Sequence, residues 1–374
     1  MRIVDLNKLA LDLVAMDFSN GHAPSNGGPT KTSRALAIIH LAARDAYARV
    51  TSAYAPKLQG LAAPHAGIGP GDADGQAAAV GAGIRAVTVL YPDFGAFIAA
   101  QSPALTAGLN PAAVMYGGEV ANAWLASRHD DGSSQPQLDS LFSAEPGHHR
   151  PDPVSNRPSL GRAWGRVTPF VISSVTADEP LGPPPALTTK AYADAYDDVF
   201  VNGRNNIAER TPEFRDHAAI GIFWGYDGSS RLGTPPRLYN QIVVSTTEFA
   251  ALAAKDQLNV LAAINAAMAD AGIAAWHWKY VYDLCWARPP AIRSPGPWPA
   301  LPERTSRRTS RPIRRVMRPS APLASRPSPG CSRSGPAISS PRSCPMSSTA
   351  PRWTTTASSG RAGSRSSRWN RASR

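Results

Sequence analysis

Apolar side chains recur at the spacing of amphipathic helices through most of the chain. The pattern predicts helices at residues 1–18, 34–50, 76–101, 111–128, 188–200, 212–227, 235–253 and 256–284. Thr32 or Ser33 is placed to cap the second helix, Pro92 interrupts the third, and Pro111 suits the first turn of the fourth. Alternating β-branched runs are scarce. The pattern therefore predicts an all-α fold of antiparallel helix bundles.

The helical pattern stops near Ser294. From there to Arg374 the chain contains 19 Ser, 13 Pro and 16 Arg, and neither a helical nor a strand period. Such a composition cannot bury an apolar core. We therefore expect a helical domain over 1–293, incomplete at its C-terminal side, and an irregular, disordered tail over 294–374.

The formal net charge of +12 points to a nucleic-acid partner until the charge is located along the chain. The tail holds 16 Arg, no Lys and one acid, Glu303, whereas residues 1–293 hold 23 bases and 26 acids. The helical body therefore does not favour specific nucleic-acid binding. Salt-dependent DNA binding through the basic tail stays open as an alternative function.

Targeting features are few. Residues 1–18 carry acids within their apolar run, which predicts an amphipathic helix and not a signal peptide. No run of about 18 apolar residues occurs, so we expect a soluble chain with no membrane span. Cys285, Cys331 and Cys344 are too few and too scattered for a disulfide framework or a zinc site. The compartment does not follow from these features.

Candidate chemistry is concentrated in residues 269–293, ADAGIAAWHWKYVYDLCWARPPAIR. Lys279 and Arg288 lie where a predicted helix leads into a loop. Both side chains stay cationic near neutral pH, and the planar arginine fork binds two oxygens, so the pair suits a tetrahedral oxyanion. The alternative is a solvated lysine and an arginine at a helix end, which are common features.

This segment resembles the vanadium-dependent haloperoxidases, which are relatives of the type 2 phosphatidic-acid phosphatases. Bacterial members carry a similar Ala-Asp-Ala-Gly-Ile-Ala-Ala-Trp helix, then Lys-Tyr, Trp-Arg-Pro and Ala-Ile-Arg. Further similar stretches are RALAIIHLAARDAY over 34–47, EPGHHRPDP and AWGRVTPF within 145–170, and FWGYDGSSRLGTPPRLYNQI over 223–242. The resemblance covers roughly residues 30–293.

The resemblance implies the all-α bundle fold of that family and a vanadate cofactor. In the family a Lys and an Arg bind vanadate oxygens, and the resemblance assigns these roles to Lys279 and Arg288. It also implies hydrogen peroxide and a halide as substrates, halide oxidation as the reaction, and a homodimer. Because the same cage can hold phosphate, an acid-phosphatase-type phosphomonoester hydrolase on this fold stays open as an alternative.

Two departures from the family pattern concern the site itself. Lys279 and Arg288 are separated by eight residues, where the family has six, and two extra residues would turn Arg288 by about 200° around a helix. In addition, the sequence contains no Ser-Gly-His and no His after His277. The family's Ser-Gly-His and axial-His segments are therefore absent, and we expect this chain to be catalytically incomplete.

The tail also fits a shifted reading frame. If the third base of each codon is joined to the first two of the next, DNA encoding residues 304–322 can also encode Asn-Phe-Thr-Pro-Asp-Phe-Pro-Ala-Tyr-Pro-Ser-Gly-His-Ala-Thr-Phe-Gly-Ala. The visible residues largely dictate two bases of each hidden codon, so eighteen consecutive matches are hard to obtain by chance. The same offset over 342–357 permits Phe-Val-Ser-Asp-Glu-Phe-Asn-Gly and Val-Asp-Asn-Asp-Gly. Our hypothesis is that the frame is lost between about residues 293 and 304.

Other polar residues are predicted to be structural. His40 lies in an apolar helix, and we expect it to pack in the core. Arg44 and Asp45 are expected to be surface or helix-contact charges. His148 and His149 are adjacent and could bind a metal, but nothing near them in the sequence completes a site.

Overall fold

Helices supply the regular secondary structure of the protein. The computed structural model describes residues 2–19, 24–136, 148, 159–176, 182–202, 219–220 and 228–283. The helices are Arg2–Ser19 (α1), Gly28–Thr51 (α2), Asp72–Leu90 (α3), Gly95–Thr106 (α4), Pro111–Ser127 (α5), Lys190–Asn202 (α6), Pro235–Val244 (α7), Thr247–Ala250 (α8) and Ala254–Tyr282 (α9). No β-strand occurs within these ranges, so the all-α prediction is confirmed.

The observed helix boundaries agree with the predicted ones at the prolines, and they differ within residues 235–253 and at the start of α2. The breaks at Pro92 and Pro111 are confirmed, since α3 ends at Leu90 and α5 begins at Pro111. The segment predicted over 235–253 is divided into α7 and α8, because the Thr246 hydroxyl accepts the backbone N–H of Phe249 and starts a new helix. The prediction over 212–227 falls largely outside the described residues, as do the tail over 294–374 and the domain boundary before it.

The start of α2 differs from the prediction. The helix begins at Gly28, and Pro29 occupies its first turn, where a missing N–H costs nothing. Thr32 and Ser33 are therefore inside the helix, buried, and they donate backwards to the carbonyls of Asn26 and Pro29 at 2.9 and 2.7 Å. The expected cap is wrong because these hydroxyls find carbonyl acceptors in the preceding turn.

α2 is the central helix of the fold. Every residue from Ala35 to Ala48 is buried, and the helix contacts α1, α3, α5, α7 and α9. A helix surrounded in this way is apolar over most of its surface, its buried polar groups need partners, and its alanines let the neighbours approach closely. Those alanines therefore explain why one helix can contact five others.

α3 and α5 meet through glycine. A Cβ added at Gly117 would lie 1.9 Å from the carbonyl oxygen of Ala78, and one at Gly81 would lie 2.0 Å from that of Val114. No side chain fits at those distances, so the two backbones are in direct contact. The neighbouring Gly118 is different, because a Cβ added there would be 3.8 Å from the side chain of Arg85, which is an ordinary contact distance.

α9 could cross a membrane by length and composition alone, as could the bent pair of α3 and α4. α9 packs against α2, and it buries Leu258, Leu261 and Ile273 in the apolar core. The Asn265 amide on the same side bonds Asn240 on α7 at 2.8 and 3.0 Å. Core packing accounts for part of the apolar composition of α9, since 44% of its most apolar stretch is buried. The absence of a membrane span stays a prediction.

His40 packs in the core as expected. It is 1% exposed, and its Nε2 has no hydrogen-bond partner among the described residues. Burial disfavours the charged imidazolium and lowers the pKa of His40 to about 3. The His40 side chain on α2 is therefore neutral and forms part of the core of the helix bundle.

The contact of α3 with α5 predicts opposite effects at two adjacent glycines. Gly117→Ala forces the helices apart and should lower the free energy of unfolding by about 2 kcal/mol or more. Gly118→Ala is the matched control and should be neutral or stabilising by up to about 1 kcal/mol, since alanine favours helix. Urea unfolding measures both, and equal effects of the two substitutions would contradict the close contact.

The burial of His40 predicts a specific loss of stability in acid. The unfolded chain takes up a proton near pH 6.5, whereas the folded chain resists protonation until about pH 3. Stability contributed by the neutral form should therefore fall by about 3 kcal/mol between pH 7 and pH 4. In urea unfolding measured at several pH values, His40→Leu should remove this pH dependence of the free energy of unfolding. His129→Gln, at an exposed histidine, should leave the pH dependence unchanged. Identical pH slopes for wild type and His40→Leu would refute the assignment.

Candidate functional site

Lys279 lies in the last turn of α9, and its side chain is exposed. Its Nζ is 5.2 Å from the ring centre of Trp276, one turn earlier in the helix. Arg288 lies outside the described residues. The structure therefore places one member of the predicted pair, at the surface end of a helix, and leaves the pairing of the two residues a prediction.

A segment of irregular chain, residues 159–176, lies on the C-terminal half of α9. The carbonyl of Leu160 accepts hydrogen bonds from Trp276 Nε1 at 3.1 Å and from Tyr280 Oη at 2.5 Å. Burial raises the pKa of Tyr280, which keeps the phenol a neutral donor. Trp276 and Tyr280 are one turn apart, so these two bonds hold a single face of α9, adjacent to Lys279.

Glycines bring segment 159–176 into backbone contact with α9. A Cβ at Gly165 would lie 2.5 Å from the Cα of His277, and Gly161 has a φ of +73°, which other residues rarely adopt. Between and beyond these glycines, Trp164 and Val167 pack on Ile273 in a small apolar cluster. This segment includes the AWGRVTPF stretch singled out in the sequence, and its role here is to hold the end of α9.

Asp270 anchors the other end of the same segment. Its buried carboxylate accepts the backbone N–H groups of Phe170, Val171 and Ile172 at 2.6, 2.8 and 3.1 Å. Charge-assisted bonds of this kind are roughly twice as strong as neutral ones. Sequence inspection did not single out Asp270, although an acidic residue among alanines on a core helix is the feature that could have identified it.

Arg128 joins the segment to the rest of the bundle. Its guanidinium donates to the carbonyls of Thr168 and Pro169 and to the carboxylate of Asp131. Asp131 also accepts from Arg34 Nε at 2.7 Å. Burial raises the pKa of Asp131, but its hydrogen bonds from Arg34 and Ser133 outweigh burial and hold that pKa below its usual value. The group is therefore an ionised link between α2, α5 and segment 159–176.

The histidines near this end of α9 do not form a metal site among the described residues. His148 Nδ1 lies 3.0 Å from Asp283 Oδ2, while His149 is outside the described ranges. His277 packs edge-on against the ring of Trp278, with 4.9 Å between the ring centres. Within the described part of the chain no three His, Cys, Asp or Glu side chains come together around a possible ion.

An oxyanion cage needs several donors that converge on one point shielded from water. Lys279 is a single exposed cation that lies over the aromatic ring of Trp276. The described residues therefore do not fit vanadate, because they supply one of its donors and no enclosure. What the structure does build is a rigid support for the end of the helix that carries this lysine.

The chain is similar to two vanadium-dependent peroxidases. It is 27% identical to the vanadium chloroperoxidase of Curvularia inaequalis over 332 residues, which cover 72% of this chain and 53% of that protein. It also resembles the structure of the first bacterial vanadium-dependent iodoperoxidase, with a TM-score of 0.61 and 21% identity over 76% of this chain and 70% of that one. No family model matches the sequence.

These similarities confirm the resemblance deduced from the sequence motifs. The chain has the all-α fold of the vanadium haloperoxidases and is a haloperoxidase-like protein. It spans about half the length of the chloroperoxidase it matches, 53%.

The anchoring of segment 159–176 leads to a prediction at Asp270. Asp270→Asn removes the charge and one acceptor oxygen, so it should cost about 2 kcal/mol of stability and speed hydrogen exchange at the amides of Phe170, Val171 and Ile172. Asp256→Asn, in the first turn of α9, is the control and should leave those three amides unchanged. Unaltered exchange in Asp270→Asn would show that the carboxylate does not hold the segment.

Proposed function

We propose that this polypeptide is a catalytically incomplete relative of the vanadium haloperoxidases. Peroxide-dependent halide oxidation would be the activity of the protein encoded by the intact reading frame, from which this polypeptide derives. The observation that carries the proposal is the state of the anion site. Lys279 stands exposed at the end of α9, and no Ser-Gly-His and no later histidine follows it in the sequence.

The haloperoxidase alternative is preferred to the phosphatase alternative because of the relatives. Both similar proteins are named as vanadium-dependent peroxidases, one a chloroperoxidase and one an iodoperoxidase. In an intact frame, Lys279 and Arg288 would be joined by the Ser-Gly-His segment that the shifted frame can encode. Vanadate held there would supply Lewis-acid chemistry towards peroxide. Residues 1–374 contain no Ser-Gly-His, and Lys279 is the one member of that cage among the described residues, so no step of catalysis is assigned to this polypeptide.

The helical body would keep a scaffold role in the intact protein. Asp270 and the carbonyl of Leu160 hold segment 159–176 on α9, which fixes the direction of the helix that carries Lys279. By this proposal the Arg-rich tail was never selected as protein, so DNA binding by it would be nonspecific. A homodimer, implied by the resemblance, stays part of the proposal.

The proposal predicts no halide oxidation by this chain. A bromination assay with the purified protein, vanadate, hydrogen peroxide and bromide should give the rate of the protein-free blank. A gene with its frame restored between codons 293 and 304, with the eight residues between Lys279 and Arg288 shortened to six, and continued through its downstream codons should give vanadate-dependent turnover. Lys279→Ala in that restored protein should remove the turnover. Robust vanadate-dependent bromination by the chain as it stands would overturn the proposal.

A further inference from the structure

A groove with a volume of about 450 Å³ runs along one side of α9. Its lining is mostly apolar and comes from the alanines between Ala262 and Ala274, from Leu41 on α2, and from Val171 and Ile172 of segment 159–176. Val171 is 56% exposed, so the groove opens to solvent beside it. Ligand sites in proteins have this size and this mostly apolar lining, with a few fixed polar groups.

The polar groups gather at one end of the groove. Arg44 is 6% exposed and is held by Asn259 Oδ1 at 2.8 Å and by Asp45 at 2.9 Å. Its guanidinium also stacks on the ring of Tyr54, 4.1 Å from the ring centre. Lys57 lines the same end, is exposed, and its ammonium has no hydrogen-bond or ion-pair partner in the described part of the chain. Because the charge of Arg44 is paired with that of Asp45, Lys57 supplies the net positive charge at this end.

The other charged group of the groove, Asp270, does not offset these cations at that end. It lies eleven residues along α9 from Asn259, a distance of about 16 Å at 1.5 Å per residue. Its carboxylate already accepts three backbone N–H groups. The groove is therefore cationic at its Asn259 end and apolar along its length.

The dimensions decide what kind of chain fits. From Asn259 to Ala274 the helix rises about 22 Å, which is the length of α9 that lines the groove. A single file of methylene groups is about 4 to 5 Å across, since carbon atoms pack at about 4 Å. The groove has room for such a chain along the alanines of α9.

We infer that this groove binds a linear long-chain carboxylate, with its acyl chain along the alanines of α9 and its head group between Arg44 and Lys57. The unbranched alanine side chains leave a smooth channel for a linear chain, and the net positive charge supplied by Lys57 complements one anionic head. The inference rests on the described residues alone and is independent of the proposed function, because the groove ends at Ala274 and excludes Lys279.

Calorimetric titration of the full chain with decanoate, decanol and decyltrimethylammonium, each below its micelle concentration, tests this inference. Decanoate should bind saturably with one-to-one stoichiometry, decanol more weakly, and the cationic amphiphile not measurably. Lys57→Met should weaken decanoate binding about fivefold, as expected for one partly exposed charged contact, and leave decanol binding unchanged. Ala267→Trp, at an exposed position midway along the groove, should abolish both.

Lys255→Met, at an exposed lysine on α9 outside the groove, is the matched control and should bind decanoate like wild type. Circular dichroism should show all three variants folded. Equal binding of the three amphiphiles, or unchanged decanoate binding by Ala267→Trp, would overturn the inference. So would concentration-dependent association in sedimentation that Ala267→Trp abolishes, because the occupant would then be a second copy of the chain.

Discussion

The burial of Asp45 on the central helix α2 constrains everything packed around it. Its carboxylate is 0% exposed and accepts the backbone N–H groups of Lys57 and Leu58 at 2.8 to 2.9 Å. Trp124 Nε1 on α5 and the Arg44 guanidinium complete its shell. An ionised carboxylate out of water is tolerated only when its oxygens are bonded in this way. One group therefore fixes α5, the chain after α2 and, through Arg44, the start of α9.

Buried carboxylates that accept backbone N–H groups also occur where irregular chain meets other helices. Asp17 on α1 accepts the N–H groups of Ser25 and Asn26, both at 2.9 Å, and Asp270 on α9 accepts three from segment 159–176. In each case a buried helix carboxylate satisfies backbone donors that have no strand or helix to bond. The end of α9 is positioned by these bonds whether or not an anion cage is completed beside Lys279.

Sequence periodicity predicted the helices because each buries an apolar face or is buried entirely. It left Arg44 and Asp45 open between surface and helix-contact roles, and the structure places both in the helix contact, a distinction that depends on neighbours distant in sequence. The roles of Asp270, Gly161 and Gly165 were not predicted, because their contact partners lie about 100 residues away in the sequence. Lys279 was identified by resemblance, while its exposure could only be found once α9 was packed. The link between Lys279 and Arg288 and the frame hypothesis stay predictions.

The central claim is that the catalytic segments are encoded but not translated in this frame, and the nucleotide sequence through codons 280–374 and beyond tests it most directly. The account predicts that the bases spanning codons 313–317, taken in the shifted frame, encode Pro-Ser-Gly-His, with an insertion or deletion between about codons 293 and 304. A continuous frame with no Ser-Gly-His in the shifted bases would contradict it.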